Sequence, residues 1–352
     1  MNFSLVLALL AVLLTACAGS QPDMPDLSEM TGPVWPTKDW PTCTPEQQNM
    51  DSHKLEEMQA YIDQSRLNLD SLLIIRGGHI VSETYYHGYD ARDRHELYSV
   101  TKSFAATLVA IAIDQGLIDG PGSYLLDYFP GRTFTNVDAD KQAITLEHVL
   151  AMTSGLGWVE SDASFNTLYR QPDWVQYMLD LPMKTPPGEQ FYYCSGCSHL
   201  LTAVLGQASG MDVRDFAEEN LFKPLGIQKA QWENDYDDIP IGGWGLKLTP
   251  REMAKLGYLY LHNGEWDGKQ IVSANWVAQA TVKHADDEGD LDYGYQWWTY
   301  PSLDAYTALG RYGQTIFVIP WADLVIVTTA DLPDHDEIFD LIELYIVPAL
   351  ED

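Results

Sequence analysis

Positive charge is what this sequence has least of. Only 20 Lys and Arg stand against 51 Asp and Glu in 352 residues, a formal charge of −31. Such a surface repels nucleic acid and anionic lipid, which excludes functions built on phosphate contacts. The excess acid reads as a solubility device suited to a saline habitat rather than a site for one cationic partner. Several chemical signatures are missing too. Without a Gly-x-Ser-x-Gly elbow the α/β-hydrolase route to a nucleophilic serine is closed. No His-Glu-x-x-His, paired Cys/His set or Gly-rich phosphate loop occurs, so neither a metal nor a cofactor is expected. No internal repeat is present. With 46% hydrophobic and 20% charged residues, the chain is globular and long enough for one large domain or two intimate ones.

Long apolar runs are equally scarce. The stretch Leu5 to Leu14 is too short to span a bilayer comfortably. It ends in Leu14-Thr15-Ala16-Cys17, which resembles the bacterial lipobox, a signal cut before a cysteine that then carries lipid. The segment ahead of it has no Lys or Arg, which points instead to an ordinary secreted or periplasmic protein. The lipoprotein reading makes residues 1–17 a signal peptide with Cys17 as the lipidation site. Residues 18–41, rich in Pro, Asp, Ser and Thr, are then a tether. Ala18 favours the outer membrane of a bacterial cell envelope, facing the periplasm. Export implies an oxidising compartment for Cys43, Cys194 and Cys197. Cys194-Ser-Gly-Cys197 leaves open a redox pair, a local disulfide or two free thiols. It follows Phe191-Tyr192-Tyr193 rather than a strand in a βαβ unit, which argues against thioredoxin-type chemistry.

A polar helix is expected from Pro45 to about Ser65. Ser71–Arg76, Gly77-Gly78 and His79–Tyr86 read as strand, tight turn and strand. From Ser99 to about Gly257 the chain is mostly helical, and the run from Ser99 to Gln115 is apolar nearly all round, hence buried. Strands return at Tyr293–Tyr300, Thr315–Pro320 and Leu324–Thr329, the last two joined as a hairpin. The tail from Glu337 to Leu350 is an amphipathic helix. Strands at both ends and helices between predict an α/β sandwich built from the termini (about 42–100 and 265–352), with an inserted helical part (about 101–264).

The chemistry begins at Tyr98-Ser-Val-Thr-Lys-Ser-Phe104. Ser99 and Lys102 stand three apart, on one face of a helix. A neutral amine beside a hydroxyl is a base beside a latent nucleophile. At the head of a buried helix, the dipole and free N–H groups favour developing negative charge at Ser99. One turn inward, apolar surroundings disfavour the ammonium and lower the Lys102 pKa toward neutrality.

Around this pair the sequence resembles the serine hydrolases related to class C β-lactamases and penicillin-binding proteins. The nearest branch is that of 6-aminohexanoate-oligomer hydrolase and similar esterases. The resemblance extends over almost the whole chain after the tether, and the stretches that carry it are Ser99–Lys102, Ala151–Trp158, Pro186–Leu201, Gly242–Leu261 and Gly310–Pro320. The resemblance implies a β-lactamase-like, DD-peptidase-type fold over residues 42–352, an antiparallel sheet flanked by helices with a mostly helical insertion. It carries Ser-x-x-Lys to Ser99 and Lys102, and the second motif to Tyr193-Cys194-Ser195-Gly196. The third, Lys-Thr-Gly loosened to x-x-Gly-Gln, goes to Arg311-Tyr312-Gly313-Gln314. It implies that Ser99, Lys102 and Tyr193 catalyse, and that the Ser99 and Gln314 main-chain N–H groups form the oxyanion hole, with Gly313 admitting the substrate. A phenol beside an ammonium is expected to have a lowered pKa, so Tyr193 and Lys102 should titrate together. Tyr192 is the competing tyrosine. Ser195 bonds Lys102 or substrate, or caps the nearby helix; His199 is structural. Arg311, where the branch often has no cation, clamps a substrate carboxylate or reaches a surface Asp. A Cys194–Cys197 disulfide is one way to lock the Tyr193 loop. Trp158, Tyr169 and Trp244 either rim an apolar substrate pocket or simply pack. The activity implied is hydrolysis of a small ester, amide or short peptide-like substrate through an acyl-enzyme. The alternatives are a penicillin-binding, β-lactamase or D-alanyl peptidase activity, or a catalytically silent envelope lipoprotein.

Overall fold

Strand β1 (Leu69–Arg76) is apolar on both faces. Leu72 and Ile74 join one core, Leu73 and Ile75 another. A strand of this kind belongs inside a sheet covered on both sides. The computed structural model, which describes residues 33–287 and 289–351, places it there. The signal peptide, Cys17 and residues 18–32 of the tether lie outside the described residues. β1 pairs on one side with β2 (His79–Tyr85) and on the other with β8 (Leu324–Ala330), so the first hairpin docks on the last strand. The remaining strands of this sheet are β3 (Ala285–Asp286), β4 (Asp292–Tyr293), β5 (Trp298–Tyr300), β6 (Ala305–Gly310) and β7 (Gln314–Ile319). The sheet order is β2-β1-β8-β7-β6-β5-β4-β3, antiparallel throughout.

One face of the sheet is covered by α1 (Ser52–Ser65) and the C-terminal α6 (Asp336–Leu341). The other carries α5 (Pro250–Leu261), whose Gly257 lies flat on Ile316, Val318 and Val325. Beyond it sit α2 (Thr101–Asp114) and α4 (Ser195–Ser209), packed on each other, with α3 (Trp174–Asp180) against α4. Twelve of the 14 residues of α2 are buried, which makes it the central helix of the molecule.

Four expectations shift. Residues 33–41 are not a tether: Trp35 packs on Tyr258, His262 and Trp266, and the buried Trp40 donates its indole N–H to the Arg251 carbonyl. The 45–65 helix breaks into a 3₁₀ turn (Pro45–Gln48) and α1 because Asn49 turns left-handed (φ 52°). The 293–300 strand is interrupted, with Gly294 N–H bonded to Trp297 O across a bend. Helix α5, counted with the helical part, belongs to the layer on the sheet.

Candidate active site

Ser99 sits in a 3₁₀ turn (Tyr98–Val100) that feeds straight into α2. Tyr98, just before it, is left-handed (φ 45°), a strained conformation for an aromatic residue. Lys102, in the first turn of α2, is 1% exposed. Its Nζ lies 2.8 Å from Ser99 Oγ, 3.0 Å from Ser195 Oγ and 2.8 Å from the Gly243 carbonyl. Burial brings the Lys102 pKa down to about 7, with Glu160 pulling it the other way. An amine near neutrality thus touches a half-buried hydroxyl.

Helix α4 brings the second set. Cys194 is its N-cap, and the Cys194–Cys197 disulfide closes its first turn. The preceding segment is pinned by Tyr192 N–H to Met152 O. Tyr193 stacks on Trp298, 5.9 Å between ring centroids, and its ring lies 4.8 Å from Lys102 Nζ. Its phenol faces Ser99. Burial pushes the Tyr193 pKa well up, and the hydrogen bond with Ser99 offsets only part of this. The expected lowering is therefore reversed: Lys102 is close to neutral, and its Nζ stands over the ring. Tyr192 instead bonds Gln190, lies under Lys184, and lines a different depression. Ser195 is the first helical residue rather than the cap, and its hydroxyl oxygen accepts from Lys102 Nζ.

Two glycines allow the close approaches. A Cβ on Gly243 would sit 2.6 Å from Ser195 O, so only glycine can present its carbonyl to Lys102 here. On the other side, a Cβ on Gly310 would meet Leu97 O at 2.3 Å and Ser99 N at 3.3 Å. Gly310 ends β6, and Arg311 begins the turn to β7. Among the described residues, neither Ser99 N–H nor Arg311 N–H enters a turn, cap or side-chain hydrogen bond.

This corrects the third motif. Gly313 faces Ala330, Ile338 and Leu332, away from the site. Gln314 pairs with Gly310 in the ladder, and its amide bonds the Arg311 and Ala330 carbonyls. The glycine that meets Ser99 is Gly310, with Gln314 Cβ beside it, and the main-chain N–H next along the chain from Gly310 is that of Arg311.

In front of Ser99 opens a cleft of about 600 Å³, lined among others by Glu160, Asp162, Tyr169, Trp244 and Arg311. Tyr169 and Trp244 are joined by a 2.9 Å indole-to-phenol hydrogen bond and rim it, as one reading of them required. Trp158 does not: it is 3% exposed, and its indole N–H bonds Glu160 at 2.6 Å. Arg311 is largely exposed and stands 3.9 Å from Asp162, which favours the surface-Asp alternative. Glu160 is the residue the sequence reading missed. Its carboxylate accepts from Ser195 N–H at 3.0 Å and from Ser195 Oγ–H at 2.5 Å. It is one acid among 51 in a loop, and no spacing marks it. His199 is buried against Asp235, Nε2 to Oδ2 3.0 Å, as a structural pair.

A family model described as Beta-lactamase matches residues 55–345. The chain belongs to the Beta-lactamase family. Among curated relatives, the 6-aminohexanoate-dimer hydrolase of Paenarthrobacter ureafaciens is 26% identical over 290 residues, 76% of this chain and 74% of that one. A family VIII carboxylesterase structure superposes with a TM-score of 0.70 at 17% identity, covering 87% of this chain and 98% of that chain. The octameric penicillin-binding protein homologue of Pyrococcus abyssi gives 0.68 at 18%, covering 86% and 78%. The family fold is thus shared by proteins described as hydrolase, esterase and penicillin-binding homologue.

Within this Beta-lactamase-family chain, the structure gathers Ser99, Lys102, Tyr193 and Ser195 into one hydrogen-bonded group. Of the other residues proposed from sequence, Arg311, Tyr169 and Trp244 line the cleft; Trp158, Gly313 and Gln314 do not.

Proposed function

We propose that the protein is a serine hydrolase that cleaves a carboxylic ester or amide through an acyl-enzyme on Ser99. The observation that carries this is Lys102 Nζ, buried, brought to a pKa of about 7 and 2.8 Å from Ser99 Oγ. Neutral Lys102 takes the Ser99 proton as Oγ attacks the substrate carbonyl. The tetrahedral oxyanion is received by the N–H groups of Ser99 and Arg311, donors typically worth roughly 3–4 kcal/mol in the transition state. The Lys102 ammonium then returns its proton through Tyr193 to the departing alkoxide or amine. Water, deprotonated by the same base, releases the acid from Ser99. Small esters, amides or short peptide-like molecules fit the open cleft. Intact-protein mass after fluorophosphonate tests this reading. A single adduct, lost in Ser99→Ala and slowed in Lys102→Ala, is expected; an unmodified wild type refutes it. A parallel penicillin incubation separates the lactam-acylated alternative by a persistent adduct.

We also propose that the protein belongs to the bacterial envelope, tethered to the outer membrane by lipid on Cys17. Its support is the apolar run closing on Leu14-Thr15-Ala16-Cys17. Palmitate labelling that survives Cys17→Ser would refute the anchor.

A further inference from the structure

Lys102 has three polar neighbours, and which of them donates decides whether it can act as a base. A neutral amine carries two N–H donors and one lone pair. The Gly243 carbonyl only accepts, and it takes one N–H at 2.8 Å. Ser99 and Ser195 are hydroxyls that can each donate or accept. If the Ser195 proton pointed at Lys102, it would occupy the lone pair and the amine could not deprotonate Ser99.

Glu160 resolves this ambiguity. Its Oε1 lies 2.5 Å from Ser195 Oγ, and its Oε2 receives Ser195 N–H at 3.0 Å and Trp158 Nε1–H at 2.6 Å. Three donors fix the carboxylate, and the Ser195 hydroxyl proton is spent on it. Resting on the hydrolase reading above, we infer that Glu160 is a positioning residue that sets the direction of the hydrogen bonds around Lys102. By taking the Ser195 proton it makes Ser195 Oγ an acceptor, and so leaves the Lys102 lone pair for the Ser99 proton. After that proton moves, the ammonium has three N–H groups. Two keep Ser195 Oγ and Gly243 O, and the third carries the proton bound for the leaving group. Besides Glu160, the titratable group facing Lys102 is Tyr193, from the segment ahead of α4.

The near-isosteric Glu160→Gln isolates this role. The Gln oxygen keeps the two N–H donors of Ser195 and Trp158, which places the amide NH₂ against Ser195 Oγ. Ser195 must then donate to Lys102, and the network runs backwards. The readout is the rate of fluorophosphonate labelling of Ser99, which needs no knowledge of the substrate. Glu160→Gln is expected to slow labelling by about 10²-fold, with an unchanged melting temperature. Ser195→Ala removes the ambiguous hydroxyl and costs roughly tenfold. The double variant should label no more slowly than Ser195→Ala alone, because no hydroxyl is left to reverse. Ser195→Thr, which restores one, should restore the Glu160→Gln penalty. A Glu160→Gln enzyme as fast as wild type, or a penalty that persists undiminished in the Ser195→Ala background, overturns the inference while leaving the activated serine intact. Failure of the wild type to label at all is a distinct result: it removes the hydrolase reading, and this proposal with it.

Discussion

A buried lysine with a pKa near 7 is the residue on which the site turns, and it makes the pH dependence predictable. Lys102 acts as a base only when neutral. Its pKa is depressed, so the neutral form dominates above about 7 and is lost as the pH falls through that value. Labelling of Ser99 should rise about tenfold per pH unit on the acid side and level off above 7. Tyr193, whose pKa burial raises, stays protonated across the same range and adds no falling limb. Measuring the labelling rate from about pH 5 to about pH 9 checks this; a rate still climbing steeply at the upper end would mean that Lys102 remains an ammonium there. The residues behind this argument were legible in the sequence to different degrees. Ser99 and Lys102 are offered by helical spacing at the head of an apolar helix, but that spacing decides nothing alone and the other family motifs had to single the pair out. Tyr193 needs the family motif, since Tyr192 has the same chemistry one position away. Gly310 was not legible. Gly310-Arg-Tyr-Gly313 offers two glycines, and only the register of the β6–β7 turn, with Gly310 opposite Gln314, decides which meets Ser99. Glu160 was hidden altogether, because its partners Ser195 and Trp158 are brought to it by tertiary packing.

At the scale of elements, what the pattern carried well was hydrophobic periodicity, and what it carried poorly was where the backbone departs from an ideal helix or strand. The hairpin of β1 and β2 and the pair of β7 and β8 fall where their apolar runs place them. The departures have local causes. The tail read as one helix is α6 followed by a wide turn over Ile342–Ile346 and a 3₁₀ turn over Val347–Ala349, where Pro348 has no N–H to continue an α-helix. Ser99 precedes α2 instead of heading it, because the chain arrives through the left-handed Tyr98. That departure is useful. It sets Ser99 N beside Gly310, 3.3 Å from where a Cβ would sit, while Lys102 stays on the buried helix and reaches Ser99 Oγ at 2.8 Å. The segment 33–41 misled for a different reason. Its Pro, Asp and Thr content is that of a linker, but Trp35 and Trp40 carry enough apolar surface to hold it on α5.

For the whole molecule, the sheet assembled from both ends follows from patterning, whereas the charge of −31 has consequences of its own. With 51 acids against 20 basic residues, most of the acid excess has no Lys or Arg to pair with. Like charges on a compact surface repel, and unfolding relieves that repulsion by moving them apart. Screening should therefore stabilise the folded state. The Debye length falls from about 30 Å at 0.01 M salt to about 10 Å at 0.1 M. Close pairs such as Arg251 with Glu83 at 2.6 Å lose little, being partly buried. Repulsion between unpaired acids over longer distances is largely removed. The melting temperature should rise by a few degrees as NaCl increases over this range, with most of the gain complete by 0.1 M. A melting temperature that stays flat or falls would mean that the attractive pairs outweigh the repulsion. The acidic surface would then stabilise the fold at low salt instead of burdening it, and a saline habitat would no longer be the simplest account of this composition.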